Sequence, residues 1–240
     1  MITLEQIKKL ALKYQTVELN VRREYFQHLF LSYFYQQPHA KRVFFKGGTA
    51  LRIIYNSPRF SEDLDFSAKG ISIKDLEHAF LETLNDIERE NISVSIQEAK
   101  TTSGGYLSLV KLEAQEFQSV LMELEVSFRN TQLNQEVVTV SREFVPPYTV
   151  FYLSLEQLVD EKIQALLLRK KPRDFYDLYF MLRSNLLPAT KKSVLPKALK
   201  ALRETEINFE KELKQFLPKT HWPIIRDFKQ TLEREMQRFI

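Results

Sequence analysis

Asp63 and Asp65 alternate with Leu64 and Phe66 in a short segment that is typical of a β-strand. Alternate residues of a strand point to one face, about 7 Å apart along the backbone, so the two carboxylates converge while the apolar pair faces a core. Two like charges held this close are unfavourable unless a cation or proton neutralises them. Mg²⁺ is commonly held by one or two carboxylates together with phosphate oxygens and water. The segment therefore predicts a magnesium-binding strand, and the apolar neighbours disfavour the alternative of a solvated strand edge.

A pair of glycines precedes this strand in the chain. Val43-Phe44-Phe45 is a short apolar strand, and Lys46-Gly47-Gly48-Thr49 leads from it into a helix predicted over 50–55. Glycines let the backbone approach a bulky anion, and the start of a helix offers N–H groups and a positive dipole to phosphate oxygens. We expect Gly47, Gly48 and the Thr49 hydroxyl to contact phosphates. The alternative is a strand-to-helix turn in which the glycines serve only tight packing.

A third carboxylate is available on another predicted strand, Val120–Phe128. Its apolar residues alternate with Glu123, Glu125 and Ser127, so either glutamate could complete a site with the two aspartates. Two metal ions bridged by such carboxylates stabilise both the attacking and the leaving oxygen in phosphoryl transfer. Glu125 is preferred as the metal ligand because it lies in the middle of the strand and Arg129 follows it.

Charged residues interrupt an apolar helical stripe in the second half of the chain. Lys162 lies within this stripe, where a lysine costs free energy unless its ammonium group reaches an anion or snorkels to water. Arg169 lies further along the helix and could share the target of Lys162. Asp174 and Asp177 lie three apart, on one face of the next predicted helix. Asp174 is either a helix cap or a residue that orients Lys162 or contacts nucleotide or acceptor.

The composition excludes several classes of protein. The chain has 240 residues, 44% hydrophobic and 28% charged, as in an ordinary globular protein, and it has no cysteine for disulfides, thiolate catalysis or zinc. No apolar run approaches the roughly 20 residues of a membrane span, and no signal peptide is evident, so we expect a cytoplasmic protein without membrane contact. From residue 183 onward, 13 basic residues face 7 acidic ones. This balance suits a polyanionic partner or, alternatively, simply solvates lysine-rich helices.

The order of elements predicts an α+β fold, with a small mixed β-sheet, flanking helices and a mostly helical C-terminal half. We expect a core domain over 1–150 and a helical domain over 151–240 that contributes to the active site. The predicted helices are 3–14, 18–37, 50–55 and 73–89, the predicted strands are 43–45, 64–66, 92–98, 106–112 and 120–128, and helices follow Pro146-Pro147.

Together these motifs resemble the AbiEii/AbiGii toxin family of nucleotidyltransferases, which includes the MenT-type toxins. The resemblance rests on 46–51, 59–66 and 154–178 and covers roughly 44–182. It implies a DNA polymerase β-like nucleotidyltransferase core. By the same resemblance, Asp63 and Asp65 would bind Mg²⁺, with Glu125 as a third ligand, and Asp174 would be the remaining acidic residue of the catalytic site. The residues implied to contact the nucleotide are Lys46, Gly47, Gly48, Thr49, Lys162 and Arg169.

The family resemblance also implies a function. The chain would be a Mg²⁺-dependent enzyme of a toxin–antitoxin or abortive-infection system. It would transfer a nucleoside monophosphate from an NTP to the 3′ end of tRNA and release pyrophosphate. A winged-helix antitoxin would be its partner. Two alternatives stay open at this point. The acceptor could be a protein or a small molecule, or the chain could be a non-catalytic module that binds nucleotide or RNA. The retained Asp63 and Asp65 disfavour the second alternative, because a binding module does not need two mutually repelling acids.

Overall fold

The chain divides into two compact units in this computed structural model, which describes residues 1–115, 117–128 and 132–240. The first unit consists of Met1–Asn56 and Phe60–Leu153, and the second of Ser57–Arg59 and Ser154–Ile240. The sequence placed the division after residue 150, three residues earlier, and did not separate 57–59 from the core domain.

The first unit contains a mixed β-sheet, as the predicted α+β fold class requires. In the described residues the sheet has seven strands in the order β3-β4-β5-β2-β1-β7-β6. The pairs β1–β7 and β2–β5 are parallel and the other neighbours are antiparallel. The strands are β1 Val43–Lys46, β2 Leu64–Ala68, β3 Ile92–Thr102, β4 Gly105–Ala114, β5 Phe117–Phe128, β6 Gln135–Arg142 and β7 Val145–Leu153.

Strands β6 and β7 correct the sequence prediction, which placed no strand after residue 128 and a change to helices at Pro146-Pro147. The two strands pair with each other, and the first helix of the second unit begins only after β7. Their register shifts between Val140 and Arg142, opposite the stretch that holds the prolines. Prolines are tolerated at such a bulge because a regular ladder hydrogen bond is not required there.

Four α-helices accompany the sheet in the described part of the first unit. A capping box begins the first helix, where the Thr3 hydroxyl accepts from the backbone N–H of Gln6 and the Gln6 side chain accepts from the backbone N–H of Thr3. Phe66 of β2 packs against Phe34, with ring centroids 5.6 Å apart, inside a cluster of fully buried aromatic side chains. One face of β2 therefore packs in the core, and Asp65 lies on the opposite face. The helices are α1 Leu4–Lys13, α2 Glu18–Phe34, α3 Gly47–Ile53 and α4 Ile73–Glu88.

The second unit is helical, as predicted. Lys170 ends the first of its helices in a left-handed conformation, and Pro172 begins the next. Its core includes Tyr176 and Phe228, whose rings stack with centroids 5.8 Å apart. No helix in the described ranges is both long and apolar enough to cross a membrane. The helices are α5 Leu155–Arg169, α6 Pro172–Arg183, α7 Leu195–Arg203, α8 Phe209–Leu213, α9 Trp222–Arg226 and α10 Phe228–Gln237.

Candidate active site

Three charged residues form a row across the middle of the sheet. Lys46 of β1 pairs with Asp65 of β2, and Asp65 pairs with Glu125 of β5. Directly paired residues of neighbouring strands share a face, so the three side chains stand on the face opposite the core. The register pairs Asp65 of β2 with Glu125 of β5, and not with Glu123.

Gly47, the first residue of α3, lies directly against Asp65 of β2. Its φ of +81° is a conformation that favours glycine. A Cβ atom on Gly47 would lie 2.7 Å from Cγ of Asp65 and 2.8 Å from its Cβ, closer than such atoms can approach. The glycine therefore makes room for the Asp65 carboxyl group. This is the packing role that the sequence left open as an alternative, and contact between Gly47 or Gly48 and phosphate stays a prediction.

Lys46 is a buried cation beside these carboxylates. Its side chain is 7% exposed, and its ammonium Nζ lies 3.5 Å from the hydroxyl Oγ of Ser127 on β5. Ser127 is two residues beyond Glu125, on the same face of the strand. The lysine thus places a positive charge on the face that carries Asp65, which suits a residue predicted to contact phosphates.

Side chains from two helices hold the segment that carries Asp63. The buried hydroxyl of Thr49 on α3 donates a hydrogen bond to the carbonyl oxygen of Asp63. The amide Nε2 of Gln27 on α2 donates to the carbonyl oxygens of Ser61 and Glu62, at 3.0 and 3.1 Å. Thr49 therefore has a structural role besides its predicted contact with phosphate. Gln27 was missed by the sequence analysis, although a glutamine among the buried aromatic residues of a helix is a signal that could have identified it.

The same helices contact the segment through two further side chains. Arg23 of α2 forms an ion pair with Glu62 at 2.8 Å. Arg52 of α3 binds Glu24 through two hydrogen bonds of 3.0 Å, and its guanidinium group lies 3.9 Å from the ring centroid of Phe60. The residues before Asp63 are therefore fixed through both their backbone and their side chains.

In the second unit, Lys162 binds Asp177 and not Asp174. Its ammonium Nζ lies 2.7 Å from the Asp177 carboxylate, which also receives two hydrogen bonds from Arg59, at 2.8 and 3.0 Å. Asp177 is 1% exposed. Burial raises the pKa of its carboxyl group, but the charges and hydrogen bonds of Arg59 and Lys162 outweigh it and lower the pKa to about 2. The spacing predicted that Asp174 and Asp177 share one face of the helix, but a role was predicted only for Asp174.

Asp174 has partners of its own at the start of α6. Arg169 donates to one of its carboxylate oxygens at 2.7 Å, and the backbone N–H of Lys171 donates to the other at 3.3 Å. Lys171 is the N-cap residue of α6, and Asp174, in the first turn, makes a capping-box contact with its backbone in place of the N-cap role that the sequence allowed. Lys162 and Arg169 engage separate carboxylates, whereas the sequence suggested a shared target. The predicted contacts of Lys162, Arg169 and Asp174 with nucleotide stay predictions.

With this geometry established, comparison with known proteins identifies the family. A family model described as "Nucleotidyl transferase AbiEii toxin, Type IV TA system" matches residues 29–239. The chain belongs to the AbiEii family. No curated protein matches it. This AbiEii chain resembles the solved structure of JHP933 from Helicobacter pylori, with a TM-score of 0.66 and 20% identity over 93% of each chain. It also resembles MenT4, the nucleotidyltransferase toxin Rv2826c from Mycobacterium tuberculosis H37Rv, with a TM-score of 0.64 and 18% identity over 100% of this chain and 93% of the other.

Among the described residues, the AbiEii chain has no preassembled cluster of three or more metal ligands. Within the ranges that the structure describes, no three His, Cys, Asp or Glu side chains are placed to hold one ion together. Asp65 and Glu125 are in register, while Asp63 lies on the segment just before β2. Their role as metal ligands therefore stays a prediction. Arg129, which supported the choice of Glu125, lies outside the described residues.

Proposed function

We propose that this AbiEii protein is a Mg²⁺-dependent nucleotidyltransferase that acts in the cytoplasm. It transfers a nucleoside monophosphate from an NTP to the 3′ end of tRNA and releases pyrophosphate. One observation carries the proposal. The Asp65 carboxylate packs against Gly47, and Asp65 pairs with Lys46 and Glu125 on the neighbouring strands. The family, whose description names nucleotidyl transferase toxins, supports nucleotidyl transfer as the class of reaction.

The donor chemistry of the acidic residues present fits a magnesium ion. Asp63 and Asp65 offer hard carboxylate oxygens, the ligands that Mg²⁺ prefers. The space left by the missing Gly47 side chain holds the Asp65 carboxyl group at the start of α3, the point at which the sequence predicts the phosphates. Asp63 and Asp65 would hold the metal, with Glu125 as the third ligand. When bound, it would neutralise charge on the phosphates during the displacement.

The side chains and backbone of the protein supply the remaining parts of the mechanism. The buried ammonium group of Lys46 offsets the negative charge of the triphosphate, and backbone N–H groups at Gly47 and Gly48 donate to its oxygens. The acceptor hydroxyl oxygen bonds to the α-phosphorus, the bond from that phosphorus to the bridging oxygen breaks, pyrophosphate leaves and the hydroxyl proton is released. The proposal keeps Lys162 and Arg169 as phosphate contacts and Asp174 as the further acidic residue. Positioning and charge stabilisation account for most of the rate in phosphoryl chemistry.

The charge of the second unit supports an RNA acceptor. Lysine and arginine residues attract a phosphate backbone without reading its sequence. Part of this charge is compensated within the unit, since Lys191 binds Asp160 at 2.7 Å and Arg203 binds Glu233. Lys197 lies on α7 with Arg203, Lys211 lies on α8, and both extend the basic composition. We further propose that a winged-helix antitoxin is the cognate partner, because the family description names a type IV toxin–antitoxin system.

A labelling experiment tests the proposed reaction. The purified protein is incubated with each NTP labelled at the α-phosphate, together with separated tRNA, protein and metabolite fractions, with Mg²⁺ or with a chelator. The proposal expects the label on tRNA, at its 3′ end, and only when Mg²⁺ is present. Label on protein or on a metabolite would show that this molecule, and not tRNA, is the acceptor. Binding of nucleotide without pyrophosphate release in any fraction would contradict nucleotidyl transfer.

A further inference from the structure

Three consecutive carbonyl oxygens ahead of β2 each accept a hydrogen bond from a side chain. The oxygens of Ser61 and Glu62 accept from Gln27, and the oxygen of Asp63 accepts from Thr49. The strand itself begins only at Leu64. The position of Asp63 is therefore set by side chains of α2 and α3, ahead of the first residue of the strand.

Gln27 is well placed to fix this backbone. Only the nitrogen end of its amide can donate to two carbonyl oxygens at once, so its orientation is unambiguous. The side chain is 2% exposed, and its helix is anchored by Phe26 and Phe30, which are fully buried. Loss of the amide would leave two partly buried carbonyl groups without these donors, an outcome that structures avoid.

We propose that Gln27 is a positioning residue that aims the Asp63 carboxylate through the backbone of residues 61–63. This inference rests on the proposed function, because it takes Asp63 to be a ligand of the magnesium ion. Partners one step behind metal ligands commonly set the affinity of the metal by orienting those ligands. Arg23 and Arg52 contact the side chains of Glu62 and Phe60, whereas Gln27 holds the peptide groups that lead directly into Asp63.

The test compares two substitutions in the same helix. Gln27→Met keeps the length of the side chain and removes both donors. Asn20→Leu is the matched control, because Asn20 is 3% exposed and its amide donates to Thr16 at 2.8 Å. Mn²⁺ binding to the full chain is measured by electron paramagnetic resonance, unfolding by denaturant, and nucleotide transfer over a range of Mg²⁺ concentrations.

We expect Gln27→Met to weaken Mn²⁺ binding by roughly 10- to 100-fold and to raise the Mg²⁺ concentration for half-maximal transfer by a similar factor. Asn20→Leu should lower the stability of the fold and leave both metal measurements at the wild-type values. A purely structural role would instead reduce the active fraction without changing the dependence on metal.

Several results would overturn the inference. In the first, Gln27→Met binds Mn²⁺ with the affinity of the wild type. In the second, Asn20→Leu loses as much Mn²⁺ affinity as Gln27→Met. In the third, the wild-type protein binds no Mn²⁺, either with or without NTP. Failure of the proposed function is recognised separately, by a wild type that transfers no nucleotide to any acceptor. In that case the ratio of the Mn²⁺ affinities still decides whether Gln27 positions Asp63.

Discussion

The carboxyl group of Asp65 occupies the space in which a side chain on Gly47 would lie. The two residues are 18 positions apart in the chain and meet because β1 and β2 pair side by side, with Lys46 opposite Asp65. A glycine for which the sequence predicts contact with phosphate thus has a structural role, which is to make room for an acidic residue. This relationship leads to the first prediction.

Gly47→Ala should abolish most nucleotide transfer. The new Cβ would contact both Cβ and Cγ of Asp65, so rotation of the carboxylate alone could not relieve the overlap. The positive φ adds strain of about 1–2 kcal/mol for a residue with a side chain. Transfer is measured with labelled NTP, and stability by denaturant unfolding.

Two other glycines separate these effects. Gly70→Ala carries the cost of a positive φ, at +70°, with nothing near its Cβ, and Gly104→Ala has an equally open Cβ position and no positive φ. Gly70→Ala should therefore lose stability but retain transfer, and Gly104→Ala should retain both. Equal losses of transfer in Gly47→Ala and Gly70→Ala would show that displacement of Asp65 is not the cause.

Thr49→Val should lower stability by about 1 kcal/mol, because the Asp63 carbonyl oxygen loses its hydroxyl donor. Transfer should fall as well, since the same bond holds Asp63 in place. Thr49→Ser keeps the hydroxyl and should restore both properties to near the wild-type level. Full transfer by the valine variant would argue that Asp63 is held adequately without Thr49.

Asp177→Asn should be among the most destabilising single substitutions in the second unit. It removes the charge that compensates Arg59 and Lys162, and loss of one partner from a buried ion pair costs about 3–5 kcal/mol. Glu5→Gln, which removes an exposed pair with Lys9, should cost less than about 1 kcal/mol. Denaturant unfolding of the two variants would test this contrast, and similar losses would contradict it.

The Asp177 ion pairs should also make stability depend on pH in the acid range. The pKa of this carboxyl group is about 2 in the folded protein, below its ordinary value of 3.8. A carboxyl group whose pKa is lowered by folding stabilises the fold at pH values above its pKa in the unfolded chain. This contribution disappears as pH falls from about 4 towards 2. The difference between the two pKa values corresponds to roughly 2 kcal/mol of stability. Unfolding of the wild type and Asp177→Asn across this range should show a gap that narrows with acidification, and a constant gap would contradict the assignment.

Local patterns in the sequence predicted much of the first unit. The alternation of Asp63 and Asp65 with Leu64 and Phe66 has the period of a strand, and the structure places the apolar pair in the core. The start of α3 was predicted three residues too late, because Gly47 and Gly48 are poor helix formers that here begin the helix. Strand β7 was missed because Pro146-Pro147 is typical of a boundary between elements.

The contacts that support the site could not be predicted in this way. Gln27 reaches carbonyl groups 34 and 35 residues further along the chain, and Arg59 reaches Asp177 across 118 residues. No local periodicity encodes such partners, because they depend on how distant elements pack. Sequence patterns therefore identified residues of distinctive chemical type, while the structure identified the residues that hold them.

The role of Asp65 is tested most directly by the rate of labelled nucleotide transfer in Asp65→Asn, measured at saturating Mg²⁺ beside Glu125→Gln and Glu123→Gln. If the row across β1, β2 and β5 is the reactive face, Asp65→Asn should lose roughly 100-fold or more of the rate and Glu125→Gln a substantial part of it. Glu123→Gln, on the same strand as Glu125 but not in register with Asp65, should retain the wild-type rate. Transfer by Asp65→Asn at the wild-type rate would contradict the proposed site.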